Sequence, residues 1–305
     1  SSPMTFDTHP IVIPYLLVTS AMLVYGLNSY VMIGLFLRRR CAETAADADR
    51  ERAFAMADAD LPEVTTQIPL YNELNVAERI LRSVAAIDYP PAKHLIQVLD
   101  DSTDETCAIV DRVANELRAA GSRVEVVRRT NREGYKGGAL KEGLARTQSE
   151  LIAIFDADFV PPPDFLRRCL PHLLQQPEVG LVQARWGHLN ADANWITRAV
   201  AVGIDGHFAV EQPARSWNRL LLNFNGTAGL WRRQAIDEGG GWETDTLTED
   251  MDLSYRSQLA GWRIHFLPDL VVPAEIPDNF TALKSQQFRW AKGSIQTAIK
   301  LLPRV

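Results

Sequence analysis

Carboxylates recur in this chain at places where chemistry would need them. Residues 246–262, TLTEDMDLSYRSQLAGW, crowd Glu249, Asp250 and Asp252 into the head of a helical pattern. The run HLIQVLDD ends in Asp100 and Asp101, and LIAIFDAD ends in Asp156 and Asp158. Acids in a first helical turn complement the positive end of the dipole, and Thr248 is a competent N-cap, so capping is the plain reading of the first group. A turn after a strand needs Gly, Asn or Asp, but not two acids at each of two strands. Asp101, followed by Ser102, Thr103 and Glu105, keeps a capping alternative. Asp156 and Asp158 are alternate residues of one apparent strand and should face the same way, as joint coordination of a hard divalent cation requires. Magnesium or manganese held there would neutralise a departing diphosphate. The loop REGYKGGALKEG adds Lys136 beside Gly137 and Gly138. It lacks the spacing of a Walker loop but suits a diphosphate or base contact; a solvated loop ahead of a helix is the alternative.

These residues need a scaffold, and the chain supplies one as strands alternating with helices. EVTTQIPLY, HLIQVLDD, RVEVVRR and LIAIFDAD read as strands; 74–87 and 103–120 read as helices, with a Gly-rich stretch at 131–147. Strands separated by helices of this length form βαβ units and a parallel sheet, whose ligands sit off the carboxyl ends of the strands. Those ends read Tyr71-Asn72-Glu73, Asp100-Asp101 and Asp156-Ala157-Asp158. Beyond residue 180 the pattern is mixed. VGLVQARWGHL is followed by a helix near 192–212, the apolar strand LLLNFNGTAGLWRR, the acidic helix, WRIHFLPDLVV and the helix TALKSQQFRWAKGSIQ. Trp217, between Arg215 and Arg219, reads as ordinary packing or as an interfacial residue.

With 305 residues, 46% apolar and 23% charged, the chain is long enough for a full core. A net charge of −6 argues against a nucleic-acid binder. Cys41, Cys107 and Cys169 have no metal-binding spacing and suit a reducing compartment. Ile11–Leu37 is uncharged and, at ~1.5 Å per helical residue, longer than the ~30 Å core of a bilayer, so it reads as a transmembrane helix. Arg38, Arg39 and Arg40 follow at once, placing what comes after in the cytoplasm, at a cell (inner) membrane, by the positive-inside rule. Residues 1–10 are a tail, with Ser1–Pro3 ahead of Met4 resembling a vector-derived remnant, and 38–61 read as a solvated helical connector.

Seven motifs in order, IPLYNE, LDDSTDET, YKGGAL, DAD, FNGTAGLWR, TEDMDLSYR and QQFRW, resemble the membrane-embedded family 2 glycosyltransferases of the cellulose-synthase-like group, especially its mannan and glucan synthase branch. The resemblance covers about residues 62–302. It implies an α/β GT-A (nucleotide-diphospho-sugar transferase) fold with a mixed, mostly parallel central sheet, preceded by one transmembrane helix. The catalytic domain would be 62–280, followed by the QxxRW helix 281–305 as a candidate interfacial helix. By the same resemblance Tyr71, Glu73, Asp101 and Lys136 hold the nucleotide, while Asp156 and Asp158 bind Mg2+ or Mn2+ and the diphosphate. Gln286 and Arg289 contact the diphosphate, and Trp290, Glu249 and Asn225 lie on the acceptor side. Asp250 is the general base, with Asp252 for orientation and capping. Asn225 stands where cellulose synthases carry Cys, which is closer to the mannan branch. The implied reaction is inverting transfer from UDP-glucose or GDP-mannose to a growing β-glucan or mannan. Polymer-secreting relatives carry further membrane helices after QxxRW, which keeps a lipid acceptor (a diacylglycerol glucosyltransferase type) as an alternative. A non-catalytic sugar-nucleotide-binding subunit and a nucleotide-sugar pyrophosphorylase are more distant rivals.

Overall fold

The computed structural model describes residues 10–304; the tail called at 1–10 therefore lies almost wholly outside the described residues. A 42-residue helix, α1 (Val12–Ala53), opens the chain and is long and apolar enough in its first part to cross a membrane. It does not end at Leu37. The charged, Ala-rich segment continues the same helix, at ~1.5 Å per residue a rod of roughly 63 Å. The expectation of a connector solvated all round is corrected by its last turns. Asp47 is buried, with one carboxylate oxygen 3.1 Å from His265 Nε2 and 3.6 Å from His172 Nδ1, and Glu51 accepts from Arg168 at 2.9 Å. Trp217 proves to be a packing residue, stacked on Phe36 of α1 with ring centroids 5.5 Å apart.

The rest of the chain folds around one seven-stranded sheet. In chain order the elements are β1 (Val64–Leu70), α2 (Ala77–Ala85), β2 (His94–Asp100), α3 (Thr106–Ala119), β3 (Arg123–Val127), α4 (Tyr135–Ala145) and β4 (Leu151–Ile154). There follow α5 (Phe165–Leu174), β5 (Val179–His188), α6 (Trp195–Gly206), a π turn at His207–Glu211 and α7 (Gln212–Trp217). β6 (Gly229–Arg232), α8 (Arg233–Glu238), α9 (Glu249–Leu259), β7 (Arg263–Ala274) and α10 (Phe280–Leu301) complete the fold. The strand order is β3-β2-β1-β4-β6-β5-β7, and β6 alone runs antiparallel to its neighbours.

The strands alternate their side chains between two cores. Leu151 and Ala153 of β4 join the layer holding Ile80, Leu81, Val113 and Leu170 from α2, α3 and α5; Ile152 and Ile154 join that of Leu140, Ile236 and Leu253 from α4, α8 and α9. Strands buried on both faces read as unbroken apolar runs, which is why the sequence shows them clearly. On the second face α4 lies unusually close to the sheet. A Cβ at Gly143 would stand 2.6 Å from both Gln67 Nε2 and Gln97 Oε1, which bond each other at 2.9 Å, so glycine sets the depth to which α4 sinks.

The strand directions decide what meets at one edge. The ends of β1, β2 and β4 point there together. Because β6 is antiparallel, the segment before it, 223–228, arrives at the same edge, and β5 and β7 bring their carboxyl ends back to it. The sequence reading of LLLNFNGTAGLWRR as one strand is corrected: pairing starts only at Gly229, and 221–228 form an irregular segment. With Gly226 and Asn225 freed from a ladder, their positions are available to a site.

α10 is pinned across the edge by Lys300, which reaches Glu243 at 2.5 Å, Asp245 at 2.7 Å and Asp252 at 3.1 Å. Asp252 is 0% exposed at its side chain and also pairs with Arg256 at 2.7 Å. Removing one partner of a buried ion pair strands the other charge in a poor solvent. Asp252→Ala should therefore lower the unfolding free energy by about 3–5 kcal/mol, seen as a large drop in melting temperature; an unchanged transition would show that the triad carries no structural weight.

Candidate active site

The edge holds a cleft of about 880 Å³, and every residue singled out from the sequence for donor, metal, acceptor or base lies on its wall. That volume suits a ligand of nucleotide-sugar size. Tyr71 and Glu73 stand on the loop after β1. Tyr71 is capped by Arg132, whose guanidinium carbon is 3.1 Å from the ring centroid. Asn72 between them adopts φ of +56°, held by its own groups: Oδ1 accepts from Thr103 N at 2.9 Å, and its N–H donates to Ser102 Oγ at 3.0 Å. The loops after β1 and β2 are thus clamped together. Asp101 reaches the cleft while gripping Arg129, whose Nε donates to it at 2.9 Å; Arg129 also holds Glu133 O and Tyr135 O. Asp101 braces the loop that delivers Lys136.

Lys136, at the start of α4, donates to Gly226 O at 2.9 Å and lies 2.5 Å from Asp156 Oδ1. The backbone N–H of Asp156 donates to Thr227 Oγ1 at 2.9 Å, tying the loop after β4 to the segment before β6. The reason expected for Asp156 and Asp158 facing one way does not hold: β4 stops at Ile154, and both lie in a turn closed by Phe159 N to Asp156 O. Turn geometry, not strand alternation, brings both to the cleft.

The acidic wall is electrostatically expensive. Burial, reinforced by Asp156, pushes the Asp158 carboxyl up to about 7. Glu73 is raised by burial and then by Asp156, Asp104 and Glu275. Oxygen donors that repel one another in a half-dry cleft suit a hard divalent cation, which needs only one or two carboxylates when phosphate and water complete its shell. Asp156 and Asp158 fit Mg2+ or Mn2+ on those grounds.

Glu249 and Asp250 open α9, as read, but the capping account of that helix fails. Thr248 makes no side-chain cap; its hydroxyl instead lies 3.2 Å from Thr297 Oγ1 of α10. Asp252 is spent on Arg256 and Lys300 rather than on capping. Asp250 accepts from Met251 N at 2.8 Å and faces Gly226, where an added Cβ would lie 2.8 Å from its Oδ2 and 3.3 Å from Lys136 Nζ. Gly226 has φ of +81°, so both its conformation and its bareness are required. A place at the head of a helix favours the ionised carboxylate. Burial wins instead, and with the Glu249 charge beside it lifts Asp250 to about 7 against the pull of Lys136. Burial also works against the Lys136 charge, but Asp156, Glu249 and Asp250 outweigh it and its pKa is raised.

α10 packs beside α9 and forms part of the wall, with Gln286, Arg289 and Trp290 on neighbouring turns. Trp290 lies 6.4 Å from Trp186, between ring centroids, and both indoles line the cleft. Asn225, next to Gly226 in the chain, lines the same cleft. Sequence reading missed Arg132, Trp186 and His188 as cleft residues. Arg132, beside Lys136 in TNREGYK, was the one open to notice; Trp186 and His188 are reached only through the β5 register.

A family model described as glycosyltransferase-like family 2 matches residues 62–293. Glucomannan 4-beta-mannosyltransferase 2 of Arabidopsis thaliana is 42% identical over 254 residues, covering 82% of this chain and 48% of that protein. Glucomannan 4-beta-mannosyltransferase 1 of Oryza sativa subsp. japonica is 41% identical over 272 residues, 88% of this chain and 51% of that one. The chain spans about half the length of the curated relatives it matches. Among solved structures, a mannosyltransferase from Pyrobaculum calidifontis in complex with GDP-Man and Mn2+ superposes with a TM-score of 0.66 at 24% identity, over 90% of this chain and 76% of that one. TarS 1-349 of S. aureus with UDP-GlcNAc gives 0.54 at 16% identity, over 73% of this chain and 61% of that one. These two share the fold.

A base must be deprotonated to work, so a carboxyl raised to about 7 predicts activity that climbs with pH through that value and then levels. Glycosyl transfer measured as kcat/KM should show an acid limb of apparent pKa near 7. A flat profile between about pH 5.5 and 8.5, with chemistry limiting, would remove Asp250 from the role.

Proposed function

Since the chain belongs to glycosyltransferase-like family 2, we propose that it is the catalytic part of an inverting, divalent-cation-dependent β-mannosyltransferase extending a β-linked mannan or glucomannan. The donor is GDP-mannose. Two things support mannose over glucose: the names of the relatives at about 40% identity, and Asn225 in FNGTAG. The catalytic unit is 62–280 and the helix 281–305 closes the cleft. α1 crosses the membrane, with Arg38–Arg40 at the cytoplasmic face.

The observation that carries this reading is the meeting of Asp250, Lys136 and Asp156 around Gly226, in a cleft that Arg289 and Trp290 also line. Inverting transfer needs a base on one side of the sugar and charge stabilisation of the leaving diphosphate on the other. Asp250 takes the proton from the attacking acceptor hydroxyl. Glu249, raised by burial and drawn back by Lys136 and Arg289, keeps the Asp250 proton affinity high. Gln286 and Arg289 receive the diphosphate, and Tyr71, Glu73, Asp101 and Lys136 hold the nucleotide. Mg2+ or Mn2+ on Asp156 and Asp158 supplies further charge neutralisation at the diphosphate when bound. Trp290 and Trp186 stack on acceptor sugar rings.

The full chain in detergent, supplied in turn with labelled GDP-mannose, GDP-glucose, UDP-glucose and UDP-N-acetylglucosamine, should incorporate mannose into β-mannanase-sensitive product. Asp250→Asn should lower kcat by about 10²–10⁴-fold while donor affinity by calorimetry changes less than threefold. Label recovered only in a chloroform phase would replace the polymer by a lipid acceptor, and full activity of Asp250→Asn would discard the base assignment.

A further inference from the structure

The helical run from Trp195 to Trp217 is interrupted by one π turn at His207–Glu211, which shifts the register by a residue and turns His207 and Gln212 together toward Asn223 and Asn225. Hydrogen bonds across this group diverge from the Gln212 amide, toward His207 and Glu211 on one side and toward Asn223 and Asn225 on the other. Glu211 is held as a carboxylate: Arg215 Nε donates to it at 2.9 Å, and its pKa is drawn down to about 2, first by the hydrogen bond from His207 and against burial. A carboxylate only accepts, so His207 Nδ1, 3.1 Å from Glu211 Oε2, carries the proton. With the proton placed on Nδ1, the ring offers a lone pair at Nε2, and the Gln212 side-chain NH2 donates to it at 2.8 Å. The same NH2 donates to Asn223 Oδ1 at 3.3 Å, and Asn223 Nδ2 in turn donates to Asn225 Oδ1 at 2.9 Å. His207 Nε2 itself lies 3.4 Å from Asn225 Oδ1. The backbone N–H of Asn225 donates to Gln183 Oε1 at 3.2 Å, fixing the main chain at that point.

A side-chain amide has two ends of nearly equal shape, and its neighbours decide which one faces outward. Here the oxygen of Asn225 is taken by Asn223, and its NH2 makes only a 3.5 Å contact to Asn223 O. We propose that the Glu211–His207 pair is a positioning device: it sets the polarity of the Gln212–Asn223–Asn225 amide relay, so that Asn225 presents hydrogen-bond donors to a hydroxyl oxygen of the bound acceptor sugar. This rests on the reading of Asn225 as an acceptor-side residue. His207 does not touch substrate in this account; it acts through two intervening side chains.

The test uses the full chain with GDP-mannose and manno-oligosaccharide acceptors. Glu211→Gln can donate to His207 Nδ1, moving the ring proton to Nε2 and reversing every amide in the relay, at almost constant shape. It should raise acceptor KM about tenfold while donor KM moves less than twofold. His207→Gln places an amide oxygen near the former Nε2 and should keep acceptor KM within about threefold of the parent. His207→Asn cannot reach Gln212 and should match Glu211→Gln. A purely structural role would instead lower the melting temperature in all three without separating the two KM values. Equal acceptor KM in the parent, Glu211→Gln and His207→Asn overturns the relay. Asn225→Ala separates the two failures: if it too leaves acceptor KM unchanged, the acceptor reading of Asn225 falls along with the relay, whereas a raised KM in that variant alone removes only the relay.

Discussion

Like charges are confined at the edge of this sheet at an energetic cost that the fold bears for a reason. Glu73, Asp156, Asp158, Glu249 and Asp250 share one half-dry cleft, and burial raises four of them, Glu73, Asp158, Glu249 and Asp250. Lys136, locked between Asp156 and Gly226, is the cation set among them. Such an arrangement persists only where surrounding packing over-determines it. The physical result is twofold: an acid excess of the kind that suits a divalent metal, and a carboxyl, Asp250, raised to about 7.

The scaffold supplies the over-determination with few devices. Gly143 lets α4 press into the sheet, which fixes where Lys136 emerges. The Asp101–Arg129 pair stiffens the loop ahead of it. The single antiparallel strand, β6, delivers Gly226 and Asn225 to an edge otherwise built from strand carboxyl ends. On the far side Lys300, Asp252 and Arg256 hold α10, so Gln286, Arg289 and Trp290 stand at a fixed distance from the carboxylates. The rod of α1 continues beyond its apolar part until Asp47 and Glu51 seat it against His172, His265 and Arg168. The helix that is long and apolar enough to cross a membrane therefore also docks on the sheet domain through ion pairs.

Much of this was legible beforehand. Doubly buried strands appear as apolar runs, and the acids follow those runs directly, so β1, β2 and β4 and the residues after them could be placed from spacing alone. Local rules failed where tertiary contacts compete with them. Thr248 has the residue type of a cap, yet Thr297 of α10 takes its hydroxyl. LIAIFDAD looks like one strand, yet the ladder stops at Ile154 because the chain must turn to meet Thr227. The charged stretch after Arg40 has no apolar stripe, and its docking runs through ion pairs and histidines that no hydrophobic pattern reveals.

The sequence by itself determined the alternating α/β plan, the long apolar helix and the identity of the carboxylates, because each is written in local periodicity and residue type. Only the tertiary structure decided that residues as far apart in the chain as Tyr71 and Trp290 share one cleft, that burial outweighs the helix dipole at Asp250, and that a π turn sets His207 behind Asn225. Dielectric, amide orientation and register depend on what packs around a residue, and strand order and direction set that packing.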